Sequence, residues 1–297
     1  MGKRNSVLSE QDKLDVVSLY MDEKWATTKI AKKYGVWSNA INGLLRRRGI
    51  KIRERGEAHR IYPINENFFN NIDSEEKAYT LGLFYADGSV NEKKGSSYIM
   101  ISESDDDILQ KIKNIISPER PLLYYNTKNK KHQNRCMLCL PNKKIANKLS
   151  ELGCCQNKTH KITFPKWLNK NLYNHFIRGY FDGDGHIGIY NKRNAKSKRL
   201  QFSICGTKSF LLSVKNIIEQ NVPRTNIILY CRHPERNNNI RDLRVMKKFQ
   251  IYLTLKWMYK DATIFMNRKY NKYREAEEEI FNMYYKYLGM NKFTLKS

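Results

Sequence analysis

An α+β fold of two pseudo-symmetric αββαββα repeats, preceded by a small three-helix domain, is what this sequence predicts, and three observations predict it. First, two segments carry one pattern. Residues 78–88 (AYTLGLFYADG) and 175–185 (HFIRGYFDGDG) are each an apolar helical stretch with small residues four apart, ending in Asp-Gly. Second, the surroundings of that pattern recur. Lys113-Asn114-Ile115-Ile116 returns as Lys215-Asn216-Ile217-Ile218 at an offset of 102, the aspartates Asp87 and Asp184 are 97 apart, and Lys143-Lys144 returns as Lys247-Lys248 at 104. A repeat of this kind is stronger than either segment alone. Third, residues 1–53 hold three short helical patterns of their own.

The elements follow in order. Ser9, with Asp12 three positions on, predicts a capped helix to about Met21. Thr27 caps a second helix through Lys33, Gly35 breaks it, and Ser38 caps a third that ends at Gly49. Ala31, Gly35, Ile41 and Leu44 fall where a helix-turn-helix needs a small crossing residue, a turn glycine and apolar locks. The segment resembles the resolvase and homeodomain-like helix-turn-helix families. That resemblance implies a third helix presenting Ser38, Asn39, Asn42, Arg46 and Arg47 to base edges and phosphates, with Gly43 lowering its helix propensity. Residues 54–72 read as a polar, partly basic linker, 73–160 as the first repeat, and 161–297 as the second repeat with a C-terminal helix.

Within the first repeat, Asp73 and Glu76 start the motif helix as a capping box does. A strand after Gly88, a loop over 92–96 and a strand over 98–102 come next, then a helix over about 105–116, strands over 122–127 and 135–140, and a helix over 143–152. The second repeat copies this order, its five extra residues assigned to a longer hairpin over 190–199. The tail after Ile264, with Arg268, Lys269, Lys272 and Arg274, predicts a charged helix packed on the second repeat.

The small stripes are Ala78, Gly82 and Ala86 in the first segment, and Gly179 and Gly183 in the second. Such spacing lets two helix backbones approach closely, and the glycine after each aspartate reads as a helix exit at positive φ. Once the helices pair, Asp87 and Asp184 stand at adjacent C-termini, disfavoured by the helix dipoles and by each other. A divalent cation removes both problems, and hard oxygen ligands suit Mg2+. An EF-hand beginning at Asp182 is excluded, because Ile187 and Arg193 stand where its loop needs Gly and Glu. A membrane span is excluded because Arg178 and Asp182 interrupt runs already shorter than the roughly 20 residues required.

At these residues the chain resembles the LAGLIDADG homing endonucleases. Residues 80–88 and 177–185 align with the family's nine-residue motif, with Tyr85 departing from an earlier aspartate that the second copy keeps as Asp182. The resemblance implies a monomeric, site-specific endonuclease whose two repeats form a saddle on double-stranded DNA with a long target site. It implies a staggered double-strand break by Mg2+-dependent hydrolysis, one strand per motif aspartate. The expected setting is inside a cell with its DNA, in a prokaryote, a phage-infected cell or an organelle, as for intron homing. Asp87 and Asp184 are then the catalytic metal ligands, and Glu103, aligned with Gly206, adds a polar ligand position. Lys158 assists the attacking water; its counterpart is Ala262, with Lys260 as the nearest stand-in. This asymmetry implies unequal strand cutting or nicking. The alternative is a nucleic-acid-binding protein of the same fold without cleavage, an RNA-splicing maturase or a DNA-binding regulator.

Composition agrees with a polyanionic partner. Lys and Arg number 55 against 29 Asp and Glu, a net charge of +26 over 297 residues. Basic residues cluster in the expected hairpin loops: Lys93, Lys94, Lys128, Lys130 and Arg135 in the first repeat, and Lys192, Arg193, Lys198, Arg199, Arg232 and Arg241 in the second. No secretory signal is evident at the start, and Met1-Gly2 with Ser6 matches a myristoylation pattern only loosely. Cys136 and Cys139 have knuckle spacing but lie in an expected strand, where residues three apart face opposite sides; the cysteines are read as reduced.

Overall fold

The computed structural model of the chain describes residues 8–53, 62–127, 133–154, 161–191, 198–231 and 239–287. They fall into two units, residues 1–63 and 64–297. In the first, α1 (Glu10–Met21) begins at the expected capping box: the Asp12 amide donates to Ser9 Oγ, and the Ser9 amide donates to Asp12 at 3.0 Å. α2 (Thr27–Tyr34) and α3 (Ser38–Arg47) follow, with Gly35 at φ 66° between them. Thr27 and Ser38 are not caps. Each is the first helical residue, one place too late for its hydroxyl to reach the free amides, and Ala26 and Trp37 hold the cap positions without a side-chain bond. Val16, Leu19, Ile30, Ile41 and Leu45 close a core of this unit's own.

The second unit runs α4 (Glu75–Asp87), β1 (Gly88–Asn91), β2 (Ser96–Ser102), a 3-10 turn Glu103–Asp105, α5 (Asp106–Ile116), β3 (Leu123–Tyr125), β4 (Arg135–Leu140) and α6 (Lys143–Glu151). It then repeats as α7 (Tyr173–Asp184), β5 (Gly185–Tyr190), β6 (Arg199–Thr207), α8 (Lys208–Asn221), β7 (Ile227–Tyr230), β8 (Ile240–Val245) and α9 (Lys248–Met258), closing with α10 (Asn267–Tyr287). The strands form two antiparallel sheets, ordered β1-β2-β4-β3 and β5-β6-β8-β7. Period-two burial gives each sheet one core face, with Ile99, Ile101 and Leu138 in the first and Phe202, Ile204 and Leu243 in the second. The other face of each sheet is open.

Strand register refines the repeat. Gly88 pairs with Ile99, and Gly185 pairs with Ile204, so the strands correspond at 204 − 99 = 105. The hairpin of the second copy is therefore longer by 105 − 97 = 8 residues rather than five. The 3-10 turn Glu103–Asp105 has no counterpart, and its three residues return the helices to an offset of 102. Gly206 consequently corresponds to Ile101, and the alignment of Glu103 with Gly206 is corrected.

Two other expectations change. The linker over 54–72 is shorter at its C-terminal end, because Phe68 and Phe69 are buried in the core of the second unit and Phe69 meets Phe84 edge-on. α10 packs on α9 and β5 of the second repeat, yet its start also crosses to the first. Arg268 forks onto Asp105 at 2.7 and 2.8 Å, the Asn267 amide donates to Asp107 at 3.0 Å, and Lys111 donates to the Phe265 carbonyl at 2.8 Å. Among the described residues no helix is long and apolar enough to cross a membrane.

Candidate functional site

The site begins with the absence of two side chains. A Cβ on Gly82 would run into the Phe176 carbonyl oxygen, and one on Gly179 into the Tyr79 carbonyl oxygen. α4 and α7 thus cross backbone to backbone. Ala86 and Gly183 make the next contact, where a Cβ on Gly183 would come within 2.7 Å of Asp87 Oδ2. This brings Asp87 and Asp184, the last residues of the two helices, to neighbouring C-termini. Gly88 and Gly185 leave the helices extended, at φ −76° and −94°, not in the left-handed conformation expected. A side chain is excluded there because it would collide with Phe84 or Phe181 in the preceding turn.

The two aspartates have different neighbours. Asp87 borders a cleft of about 470 Å³ with Ser102, Asp105, Gln133, Asn134, Arg135, Met266 and Arg268. Two arginines thus share the cleft with it, and the nearly buried Asp105 holds the guanidinium of Arg268. Beside Asp184 is Tyr180, buried, its hydroxyl donating to the Cys205 carbonyl at 2.9 Å and lying against the Asp184 carboxylate. Burial first, then the charge of Asp184, pushes the Tyr180 phenol well above its ordinary pKa. Gly206 provides the room, since a Cβ there would sit 2.8 Å from the Tyr180 hydroxyl.

Of the other expected site residues, Glu103 and Lys260 do not join this centre. Glu103 is half-buried, its amide donating to the Asn134 carbonyl, and Asp105 lines the cleft in its place. Lys260 lies at the wrong end of the helix pair. It is exposed in the turn after α9, a segment tied to the start of α4 by the Thr263 amide and hydroxyl, which donate to Glu75 at 2.7 and 2.9 Å. Glu75 and Asp87 are the first and last residues of a 13-residue helix, about 18 Å apart along its axis. Lys158 lies outside the described residues.

Around α7 a buried polar network, which the sequence signalled only as interruptions of an apolar run, fixes the C-terminal segment. Asp182 accepts from the Tyr79 hydroxyl (2.6 Å), the Met266 amide (2.9 Å) and the Tyr259 hydroxyl (3.2 Å). Burial raises its pKa against the pull of Lys269. The Lys269 ammonium donates to the carbonyls of Phe181, Asp182 and Gly185, at 2.5, 2.8 and 2.7 Å. A cation thereby occupies the negative end of α7, and burial lowers its pKa to about 8. Arg178, fully buried, pairs with Glu75 at 2.6 Å and donates to the Met258 and Ile264 carbonyls.

The open sheet faces carry some of the expected basic residues. Arg135 is exposed beside Met100, and Lys93 and Lys94 are exposed in the β1–β2 turn. Arg199 and Lys198 border a groove of about 760 Å³ with His186, Gln201, Ser203, Arg244 and Lys248, although Lys198 also pairs with Glu275 at 3.3 Å. Arg241 is on the other face, on the same side as Leu243 and Val245, and donates to the Ile240 carbonyl. Arg244, not expected from sequence, is on the open face, stacked 4.1 Å from the Tyr230 ring centroid and 3.0 Å from Asp242. The alternation of Arg199, Gln201 and Ser203 was available in the sequence; that of β8 is obscured by Ile240 on the open side and Arg241 on the core side. In the first unit Asn39, Arg46 and Arg47 are exposed, whereas Ser38 and Asn42 are half-buried. Lys128, Lys130, Lys192, Arg193 and Arg232 lie outside the described residues.

A close helix pair ending in two aspartates, with a four-stranded sheet following each helix, defines a pseudo-dimeric α+β protein with one motif per repeat. Residues 74–138 match the family model of the LAGLIDADG-like domain. The match falls within the first repeat, and the second repeat copies that repeat's order of elements. A curated relative, DNA-directed RNA polymerase subunit Rpo1C of Methanocaldococcus jannaschii, is 31% identical over 129 residues, which is 41% of this chain. The match spans only 14% of that relative's length. Solved structures with some likeness include meganuclease I-SmaMI bound to uncleaveable DNA, at 12% identity and TM-score 0.46, covering 70% of this chain and 91% of that one. Another is LAGLIDADG meganuclease I-CpaMI bound to uncleaved DNA, at 13% identity and TM-score 0.44, covering 70% and 92%.

Proposed function

We propose that the chain is a site-specific DNA endonuclease that hydrolyses one strand at each motif aspartate and uses a divalent cation to do so. The observation that carries this reading is the placement of Asp87 and Asp184 at neighbouring helix C-termini, where two carboxylates repel each other and Asp87 also meets the negative end of α4, Lys269 already serving that of α7. The donor set would fit a hard cation such as Mg2+, since Asp87 and Asp184 offer carboxylate oxygens. Held by Asp87 and Asp184, a cation of this kind supplies an activated water and charge neutralisation at the phosphate.

The chain's own residues do the rest. The open sheet faces and a net charge of +26 bind the duplex, Arg135 and Arg268 place positive charge beside Asp87, and Tyr180 orients Asp184. The first unit adds a second DNA contact through Asn39, Arg46 and Arg47 on α3. The protein works as a single chain, with the DNA of its cell.

The test is replacement of each aspartate by asparagine. Asp87→Asn and Asp184→Asn should each lower cleavage of at least one strand by about a thousandfold, a loss of several kcal/mol, while a gel shift shows binding within a few-fold of wild type. Double-strand cleavage by both single variants in Mg2+ would sink the assignment. A wild-type protein that binds nucleic acid but cuts no duplex would favour the maturase or regulator alternative.

A further inference from the structure

The two open faces differ at matched positions. The central strands of the first sheet present Tyr98 and Met100 on β2 and Met137 and Cys139 on β4, with Leu123 of β3 opposite Met137. At the offset of 105 the second sheet has Ser203, Cys205, Asp242 and Arg244 in those places, with Tyr230 opposite Asp242. One face is a patch of thioether, ring and aliphatic surface, bounded at the start of β4 by the exposed Arg135, which lies against Met100. The other is an array of hydrogen-bonding groups, and Arg199 and Gln201 extend it along β6.

These chemistries select different base edges. In the major groove, guanine offers two acceptors that match the fork of an arginine, and thymine offers a C5-methyl as its apolar group. Arg244 is already set for the first task. Its side chain is 39% exposed, and its guanidinium is bonded to the buried Asp242 and lies on the Tyr230 ring, so little side-chain freedom remains to be lost on binding. Met100, Met137 and Leu123 have no strong donors, and gain by covering apolar surface. We propose that the two faces read half-sites of opposite composition: a thymine-rich half under β1–β4, recognised through methyl groups by Met100, Met137 and Leu123, and a guanine-bearing half under β5–β8, recognised by Arg199 and Arg244. The inference rests on the reading of these faces as DNA-contacting surfaces.

Selection of duplexes from a randomised pool by the full-length protein, followed by binding to the selected site with uracil replacing thymine in one half at a time, tests it. The selected site should be thymine-rich in one half and hold fixed guanines in the other. Uracil should weaken binding about fourfold per contacted methyl in the thymine-rich half and leave it unchanged in the other. Arg244→Ala should relax one guanine preference by tenfold or more and leave the thymine-rich half as it was. Uracil substitution changes only the DNA, so this arm is independent of any variant's folding. Equal sensitivity of the two halves to uracil, or fixed guanines in both, would overturn the inference and leave the DNA reading standing. Failure to enrich any duplex would overturn both.

Discussion

α4 and α7 share a motif and differ in what they bury. At the motif offset of 97, Leu81 stands against Arg178, Leu83 against Tyr180 and Tyr85 against Asp182, and all six are buried. The first helix fills these places with apolar bulk and one phenol, whose hydroxyl reaches the Leu152 carbonyl. The second fills them with groups that bind backbone. Arg178 and Asp182 take up the Met258 and Ile264 carbonyls and the Met266 amide, in the irregular stretch between α9 and α10. Irregular backbone beside a core must find partners for its amides and carbonyls. A buried charge in a motif helix is therefore no sign of chemistry in itself; in α7 two of the three polar residues anchor the C-terminal segment, and only Tyr180 touches a motif aspartate.

The largest expected effect comes from making α7 resemble α4. Arg178→Leu restores the residue type of the first helix, but it takes the cation from Glu75, which keeps only its bonds from Thr263 and Ile264, and leaves the Met258 and Ile264 carbonyls without the guanidinium. Removal of one member of a buried pair costs about 3–5 kcal/mol. Leu81→Met, of similar volume and in the matched place, should cost about 1 kcal/mol. Urea midpoints would measure both, and a smaller loss for Arg178→Leu than for Leu81→Met would break the comparison.

Lys269 sharpens it through pH. Its pKa is about 8 in the folded protein against 10.5 unperturbed, with burial as the main cause. Below pH 8 both states hold the proton, and the full cost of burying the charge is present. Between about 8 and 10.5 the unfolded chain holds one proton more than the folded one. Stability therefore rises with pH across that window, by at most about 1.4 kcal/mol per pH unit. The slope should vanish in Lys269→Met, so denaturation midpoints at pH 7.5 and 9.5 should converge or cross between the two proteins. Parallel pH dependence would mean that the ammonium is not desolvated as its three carbonyl partners indicate.

What could be read in the sequence followed from local rules. Small residues four apart gave the helix pair, Ser9 with Asp12 gave the first cap, and the short apolar runs in 98–102 and 135–140 gave the central strands of the first sheet, the former beginning two residues earlier, at Ser96. What could not be read depends on partners far along the chain. Asp105 and Arg268 are 163 residues apart, and nothing local marks either. The 3-10 turn Glu103–Asp105 is hidden because it is an extra half-step between a strand and a helix, visible only once the ladder fixes the register at 105. Lys260 was misplaced for a related reason: the whole turn that holds it and Ala262 is tied through Thr263 to the start of α4, a helix length from Asp87, and no local signal shows this.

The smallest expected effects test whether each aspartate has its own helper. Arg268 stands in the Asp87 cleft and Tyr180 stands against Asp184. If each aspartate serves one strand, Arg268→Ala should slow one cut by about tenfold to a hundredfold through lost charge stabilisation. Tyr180→Phe should slow the other by about fivefold, the worth of one hydrogen bond of about 1 kcal/mol. Arg268 also holds Asp105, so the structural share must be separated. Arg268→Lys keeps the charge and should recover part of the rate, and the unfolding midpoint of each variant reports any loosening of α10. On a supercoiled plasmid with strand-specific end labels, both variants should accumulate a nicked intermediate, with opposite strands left intact. The same intact strand in both would show that Tyr180 and Arg268 act on one centre, and the one-helper-per-aspartate division would fall.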